Sequence, residues 1–508
     1  RAATDKGVFQ FDGTNWSNFF YTESIFDINI LDGNLLVLKK NELSTFDGTS
    51  ETSIYKSDSD LRKFKITENN DYLIASSMGT IKIYNSDSQI LLPNGPINNS
   101  FESIAVDENS TLWVGTGKDQ FGVGFMKFQD GIWTNYNTTT FPELPNNNYH
   151  TVSSNGDEVF LSNWGAGLTI GKNGQFSYLN AYNSELVGIP GSDKYVVIMN
   201  AKRDNNGDLW FFNHASADGK PIVQLTNDSL WYHYYFPFAS LTVDNYMLDG
   251  VIDDNNTKWF NVLGRGLYYL NERNTPSDES DDLWGHLGST NGLNSDNVNA
   301  IAVDKRGELW IGTTNGMNIL ANTASPTSLI TSVFSLRQQS ITSIAVDPLN
   351  NKWIGTYQGV FVMSPDGSYL LAQYDSKNSP LPSDNIKSIA IDNKTGIVYV
   401  GTSYGLSTLT TSSVEPKQEF DEITIYPSPF RIGEHQQITF DGLVKNSSIK
   451  ILSISGKLIK KLETPGGRIS SWDGKDENGK FVSSGIYILV AFDEEADKIT
   501  TSKFAVIR

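Results

Sequence analysis

From residue 103 to residue 402 the chain keeps returning to one alternation of apolar and polar positions. Four stretches show it most clearly: SIAVDENSTLWVGT (103–116), AIAVDKRGELWIGT (300–313), SIAVDPLNNKWIGT (343–356) and SIAIDNKTGIVYVGT (388–402). Each runs an apolar strand into Asp, crosses a polar turn, and leaves on a second strand that ends in Gly-Thr. Weaker copies lie at 203–213 (RDNNGDLWFFN) and 252–270 (IDDNNTKWFNVLGRGLYYL). In five copies a Trp follows the Asp by six residues: Asp107/Trp113, Asp204/Trp210, Asp253/Trp259, Asp304/Trp310 and Asp347/Trp353.

Asp253, Asp304, Asp347 and Asp392 are separated by 51, 43 and 45 residues, and a period of ~40–50 residues is that of a four-stranded propeller blade. The unit around Asp347 reads as an inner strand at Ile344–Val346, a second at Lys352–Gly355, a third at Val360–Met363 and an outer one at Tyr369–Ala372, divided by Asn, Asp, Gly and Pro-Asp-Gly turns. No segment carries a helical period. The fold class predicted is all-β: one or more β-propellers, seven-bladed, with a C-terminal Ig-like β-sandwich.

Seven units fit between about 101 and 410, and the units before them overfill one ring. The reading is therefore a partial first propeller at 1–96 that starts inside a blade, a propeller at 97–412, a linker at 413–421 and a sandwich at 422–508. SQILLPN (88–94) is a candidate closing strand, and a ring shared between the two ends of the chain is the alternative.

The repeated residues have reasons to be there that involve no chemistry. Asp ending a strand bonds the N–H groups of the turn that follows; Trp packs between blades; Gly permits close approach. The pattern resembles the two-component regulator propeller repeat of Bacteroidetes-type bacteria, and VNAIAVDKRGELWIGTTNGMNIL (298–320) matches it nearly throughout. After the polar linker TSSVEPKQEFDE (411–422), six or seven short strands with turns every eight to twelve residues predict the sandwich. Tyr426-Pro427-Ser428-Pro429-Phe430, Ser455-Gly456-Lys457, Trp472-Asp473-Gly474-Lys475-Asp476 and Gly485-Ile486-Tyr487 resemble the FlgD-type Ig fold and the C-terminal sorting domain of type IX secretion substrates, with Ser428 where the usual pattern has Asn.

Charge and composition narrow the function. A formal charge of −19 argues against nucleic acid, which needs a basic face. The 508 residues contain no cysteine, so disulfides and thiolate metal sites are excluded. No run of roughly 18 apolar residues occurs, so no membrane-spanning helix is expected.

Candidate chemistry mostly falls away. Gly401-Thr402-Ser403-Tyr404-Gly405 contains G-x-S-x-G, but a nucleophile elbow leads into a helix, and here the same turn recurs as GTTNG (312–316) and GTYQG (355–359). DNNGD (204–208) begins like a calcium loop, yet position 12 is Ala215 rather than Glu. WDGKDENG (472–479) reads as a sandwich turn, and the five histidines lack metal-ligand spacing. No catalytic residue, metal or cofactor is predicted.

If the propeller binds a ligand, the second-to-third-strand turns offer Trp164, Arg265, Asn315, Tyr357 and Tyr404, an aromatic and polar set suited to a glycan or a peptide. Tandem regulator-type propellers followed by a sorting-type Ig domain resemble a family of cell-surface components of the type IX secretion system. That resemblance implies a non-enzymatic secreted protein at the outer-membrane surface or in the periplasm. It also implies the sortase attachment complex as partner and an anionic lipopolysaccharide or glycan as ligand. A sensor ectodomain of a hybrid two-component system and a secreted glycan-binding or glycan-active cargo protein are the alternatives.

Overall fold

The six-residue spacing from Asp to Trp has a direct cause. In the computed structural model, each such Asp ends an inner strand and turns both carboxylate oxygens back onto the chain. Asp107 Oδ1 accepts the N–H groups of Asn109 and Thr111 at 2.8 and 3.0 Å; Asp253 Oδ1 accepts those of Asn255 and Thr257, both at 2.9 Å. The other oxygen accepts the indole Nε1–H six residues on, at 2.9 Å for Asp107–Trp113, 3.0 Å for Asp204–Trp210, 2.9 Å for Asp253–Trp259 and 3.2 Å for Asp347–Trp353. A hydrogen bond to a charged acceptor contributes about 1.5–3 kcal/mol, so one carboxylate shapes the turn and anchors the next strand.

The fifth copy departs from this. Asp304 Oδ2 instead accepts Lys352 Nζ at 2.6 Å and Asn350 Nδ2 at 3.0 Å, and the buried Trp310 Nε1 has no partner. The neighbouring blade shows why. Lys258, the counterpart of Lys352, is neutralised by Glu272, whereas Lys352 has the neutral Asn350 and Pro365 carbonyls and takes the aspartate as its counter-charge.

The structure describes residues 1–508 except 78, 85, 86, 92, 93, 242–246, 327, 465, 466, 494 and 496. It is all-β, and the described residues outside strands form turns, irregular segments and four short 3₁₀ helices. Two compact units divide the chain, Arg1–Gly95 and Pro96–Arg508.

The second unit contains seven blades whose innermost strands are Ser103–Val106, Tyr149–Asn155, Val196–Arg203, Met247–Ile252, Val298–Val303, Ile341–Val346 and Ile386–Asp392. We number the blades 1 to 7 in that order. Each inner strand adjoins the next, and the seventh adjoins the first, so the sheets form a closed ring around a channel. Blades run antiparallel from the inner strand outward; blade 6 orders Ile341–Val346, Lys352–Thr356, Gly359–Met363 and Leu370–Tyr374. Blades 2 and 3 merge into one eight-stranded sheet, because Trp164 and Gly165 pair with Val197 and Val196. Blade 7 has three strands among the described residues.

Close approach between blades explains the Gly of the Gly-Thr pair. A Cβ on Gly401 would lie 2.5 Å from Ser388 Oγ and 2.6 Å from the Phe101 carbonyl oxygen, and one on Gly312 would lie 2.5 Å from Ile341 Cγ2. The Thr closes the turn: Thr356 Oγ1 donates to the Gly359 carbonyl at 2.9 Å and accepts the Gln358 N–H at 2.9 Å. Thr313 and Thr402 make the same pair of bonds. Gly-Thr-x-x-Gly is thus a self-bonded turn whose last glycine has φ of 103° at Gly359, a region that favours glycine.

The ring closes where residue 101 meets blade 7. Phe101 N–H donates to the Thr402 carbonyl at 2.9 Å, and Ser388 Oγ donates to the Phe101 carbonyl at 2.7 Å. Beyond the ring, a three-stranded sheet (Thr424–Tyr426, Ile438–Asp441, Ile469–Trp472) and a five-stranded one enclose Phe440, Trp472, Tyr487 and Phe504. In the larger sheet Phe430–Arg431 runs parallel to Ile499–Ile507. Arg468 N–H donates to the Val414 carbonyl and Lys417 N–H to the Leu443 carbonyl, both at 3.0 Å, tying the linker to this sandwich.

The first unit has sheets at 2–20, 27–56 and 61–91, with Leu36, Leu38, Leu43, Phe64 and Ile74 in its core. Part of SQILLPN is its outer strand, Asp87–Leu91, which pairs with Gly79–Tyr84; it closes no ring in the second unit, and Leu92 and Pro93 lie outside the described residues. An outer strand needs only a free edge of the preceding hairpin, and that edge is nearer in sequence than blade 7.

Candidate functional site: the channel and its rim

Six of the seven inner strands carry a β-bulge at the same place. Pairing with the second strand skips His150, Met199, Leu248, Asn299, Thr342 and Lys387. A bulge leaves its extra residue out of the ladder and re-aims its side chain. All of these except Met199 line the channel, whose volume is about 670 Å³. The register sets these residues at the end of the channel beside the Gly-Thr turns, since Ile386 pairs with Thr402 and Ile341 with Thr356.

Polar groups ring this mouth. Lys387 Nζ lies 3.5 Å from Glu102 across the closing seam, and Glu102 Oε1 also accepts Ser100 Oγ at 2.6 Å and Ser403 Oγ at 3.1 Å. The serine of the G-x-S-x-G stretch therefore bonds a carboxylate across the seam rather than a histidine base. His150 Nε2 donates to the Ile198 carbonyl at 2.9 Å, which makes Nδ1 the acceptor for Thr151 Oγ1 at 2.9 Å. Burial, opposed by that carbonyl and helped by the positive charge of Lys118, pushes the His150 pKa down to about 4. Burial and then Lys118 lower His214 likewise to about 4.

Deeper in the channel, Asn200 and Lys202 of blade 3 stand beside Asp249 of blade 4, all three lining it. Asp249 accepts Asn200 Nδ2 at 2.5 Å and the Gly250 N–H at 2.7 Å. Burial raises its pKa, with Lys202 opposing, and burial lowers that of Lys202, with Asp249 opposing.

The five turn residues meet different fates. Trp164 lies in a strand between blades 2 and 3, with Lys118 Nζ 4.1 Å from its ring centroid and the rings of His150 and His214 at 5.5 and 6.2 Å. It is a packed side chain rather than an open platform. Arg265 is half-buried and donates to the Ala239 carbonyl at 2.7 Å and the Ser240 carbonyl at 3.3 Å, stapling the preceding blade's loop. Asn315, Tyr357 and Tyr404 are exposed at the tips of their turns in blades 5, 6 and 7, Tyr404 at 74%. The five belong to five different blades. Sequence reasoning missed the channel set, Lys202 and Asp249 among it; its trace in the sequence is the charged residues within inner strands such as Val196–Arg203 and Met247–Ile252.

The calcium-like fragment is the blade turn itself, with Asp204 Oδ1 taken by the N–H groups of Asn206 and Asp208. In the sandwich turn, Asp473 pairs with Lys475 at 2.9 Å, and Asp476 accepts the N–H groups of Asn478 and Lys480.

Ring, repeated turn and C-terminal sandwich together define an all-β propeller protein with regulator-type repeats. The model of the two component regulator propeller family matches residues 292–315, which span the end of blade 4 and the first hairpin of blade 5. Among solved structures, the chain is similar to PorZ, described as an essential bacterial surface component of the type-IX secretion system of Porphyromonas gingivalis. The match is 24% identical, covers 99% of this chain and 73% of PorZ, and has a TM-score of 0.68. The extracellular domain of the hybrid two component system BT3049 from B. thetaiotaomicron matches at 13% identity over 99% of this chain and 76% of its own, with a TM-score of 0.48. A gluconolactonase, XC5397 from Xanthomonas campestris, matches at 15% identity over 70% of this chain and 95% of its own, with a TM-score of 0.36. No curated protein sequence matches the chain.

Proposed function

We propose that this protein is a non-enzymatic, cell-surface component of a type IX secretion system, acting as PorZ does in its own bacterium. The observation that carries the reading is the likeness to PorZ along 99% of the chain, propeller units and terminal sandwich included. The turns and carboxylates that looked chemical in the sequence are taken up by the fold: Ser403 bonds Glu102, and the Asp204 and Asp476 turns bond their own backbones. Among the described residues no helix is long and apolar enough to cross a membrane.

In this reading the protein assists the sortase attachment complex and binds anionic lipopolysaccharide or glycan while cargo is anchored. The exposed turn tips at Asn315, Tyr357 and Tyr404 are the ligand face, and Arg265 supplies a cation beside them. Two measurements test it. Affinity purification from outer membranes of the source bacterium should bring down sortase-complex components, and their absence sinks the secretion role. Lipopolysaccharide binding should survive removal of residues 420–508 and weaken in an Arg265→Ala/Tyr404→Ala double variant; unchanged affinity discards the turn face.

A further inference from the structure

The channel holds one charged pair that does not touch. Lys387 and Glu102 contact each other at the rim, and Arg203, also on the lining, bonds Glu158 through Nε at 2.5 Å. Lys202 differs. It lines the channel and feels Asp249 electrostatically, yet among the described residues its ammonium makes no ion pair or hydrogen bond with protein. Lys202 is half-buried and its exposed part faces the channel. An ammonium partly withdrawn from water favours an acceptor, and a carboxylate of opposite sign stands on the next blade.

Val251 and Ile344 also line the channel. The volume, about 670 Å³, falls in the roughly 300–1,000 Å³ range of small-molecule sites.

We propose that this channel binds a small neutral polyol or sugar, one of whose hydroxyls accepts from Lys202 Nζ while its neighbour donates to the Asp249 carboxylate. The chemistry follows from charge balance. One cation and one anion with no ion pair between them suit a ligand offering an acceptor and a donor side by side, which a vicinal diol does. A free anion would be drawn by Lys202 and repelled by Asp249. Val251 and Ile344 offer the ligand's C–H faces a smaller apolar contact. The site is separate from the turn tips and independent of the secretion role, so either reading can fail without the other.

The test uses the full chain and a defined panel: myo-inositol, methyl β-galactoside and methyl β-glucoside as neutral probes, and glucuronate as the charged arm. Binding is read by saturation-transfer NMR and calorimetry, and Lys202 acylation by a water-soluble ester is read by mass spectrometry. The expected result is binding of at least one neutral probe, protection of Lys202 by that probe, and affinity at least about tenfold weaker in Lys202→Met and in Asp249→Asn, the loss of one charge-assisted hydrogen bond. Lys202→Met removes a charge with no protein hydrogen bond or ion pair and should not lower the melting temperature, so it carries the test if Asp249→Asn folds poorly. Tighter binding of glucuronate than of every neutral probe overturns the proposal, as does a panel that leaves Lys202 unprotected.

Discussion

Trp210 and Trp310 make a matched pair in which one hydrogen bond differs. Both are fully buried, and each has a lysine over its ring, Lys258 at 3.8 Å and Lys352 at 4.4 Å from the centroid. Replacing either by Phe removes the same volume and weakens the same cation–π contact, so those costs cancel in the comparison. What remains is the indole N–H. In Trp210→Phe a bond to the Asp204 carboxylate is lost, worth about 1.5–3 kcal/mol. In Trp310→Phe an unpartnered buried donor is removed, relieving about 1–3 kcal/mol. Trp310→Phe should therefore be the more stable variant by about 2.5–6 kcal/mol. Urea unfolding followed by far-UV circular dichroism measures the difference without relying on tryptophan emission. Equal midpoints for the two variants would falsify the claim that Lys352 has displaced Trp310 from its aspartate.

Further outcomes follow from the same contacts. His150 and His214 are held neutral in the fold, so the stability they contribute is complete above the ordinary histidine value of 6.5 and drains away as pH falls from there toward about 4. That amounts to up to about 3 kcal/mol per ring; urea midpoints at pH 7, 5 and 4 should fall, and His150→Gln should flatten the fall. Glu272→Gln strands the buried Lys258 and should cost about 3–5 kcal/mol, read as a drop in melting temperature that Lys258→Met partly restores. Gly401→Ala forces a methyl onto the seam and should destabilise by about 1–3 kcal/mol, whereas Ser403→Ala, losing one hydroxyl bond at the rim, should change stability by less than about 1 kcal/mol. If Ser403→Ala proves the worse of the two, the seam is not closed as described.

The propeller was legible because its blade is written in short-range chemistry. Asp, the turn behind it and the Trp six residues on all bond within one hairpin, so a fixed spacing reports them. Outer strands were less so: blade 6 was read as Tyr369–Ala372 and runs Leu370–Tyr374, because nothing local pins an edge strand. Trp164 shows a different limit. It aligns with turn residues of other blades, but pairing with Val197 of the next blade draws it into a strand, a tertiary event no single repeat encodes. The channel was illegible for a similar reason. Which inner-strand residues face it depends on the bulges at positions such as Leu248 and Lys387, and a one-residue bulge reverses the alternation that a sequence pattern relies on.

The seam between Phe101 and Thr402 also sets a clock on the molecule's birth. The two partners are separated by 301 residues, and at about 5–20 residues per second of synthesis the first blade waits roughly 15–60 s for the strand that shields its flank. Throughout that wait Ile104, Val114 and Met126, which in the finished ring pack in one cluster with Tyr399 of blade 7, face water or a chaperone. Contacts so distant in sequence also slow folding itself. The nascent chain is thus most vulnerable to aggregation just before its seventh blade emerges, and substitutions at the seam should reduce yield in the cell more than they reduce the stability of the protein that survives.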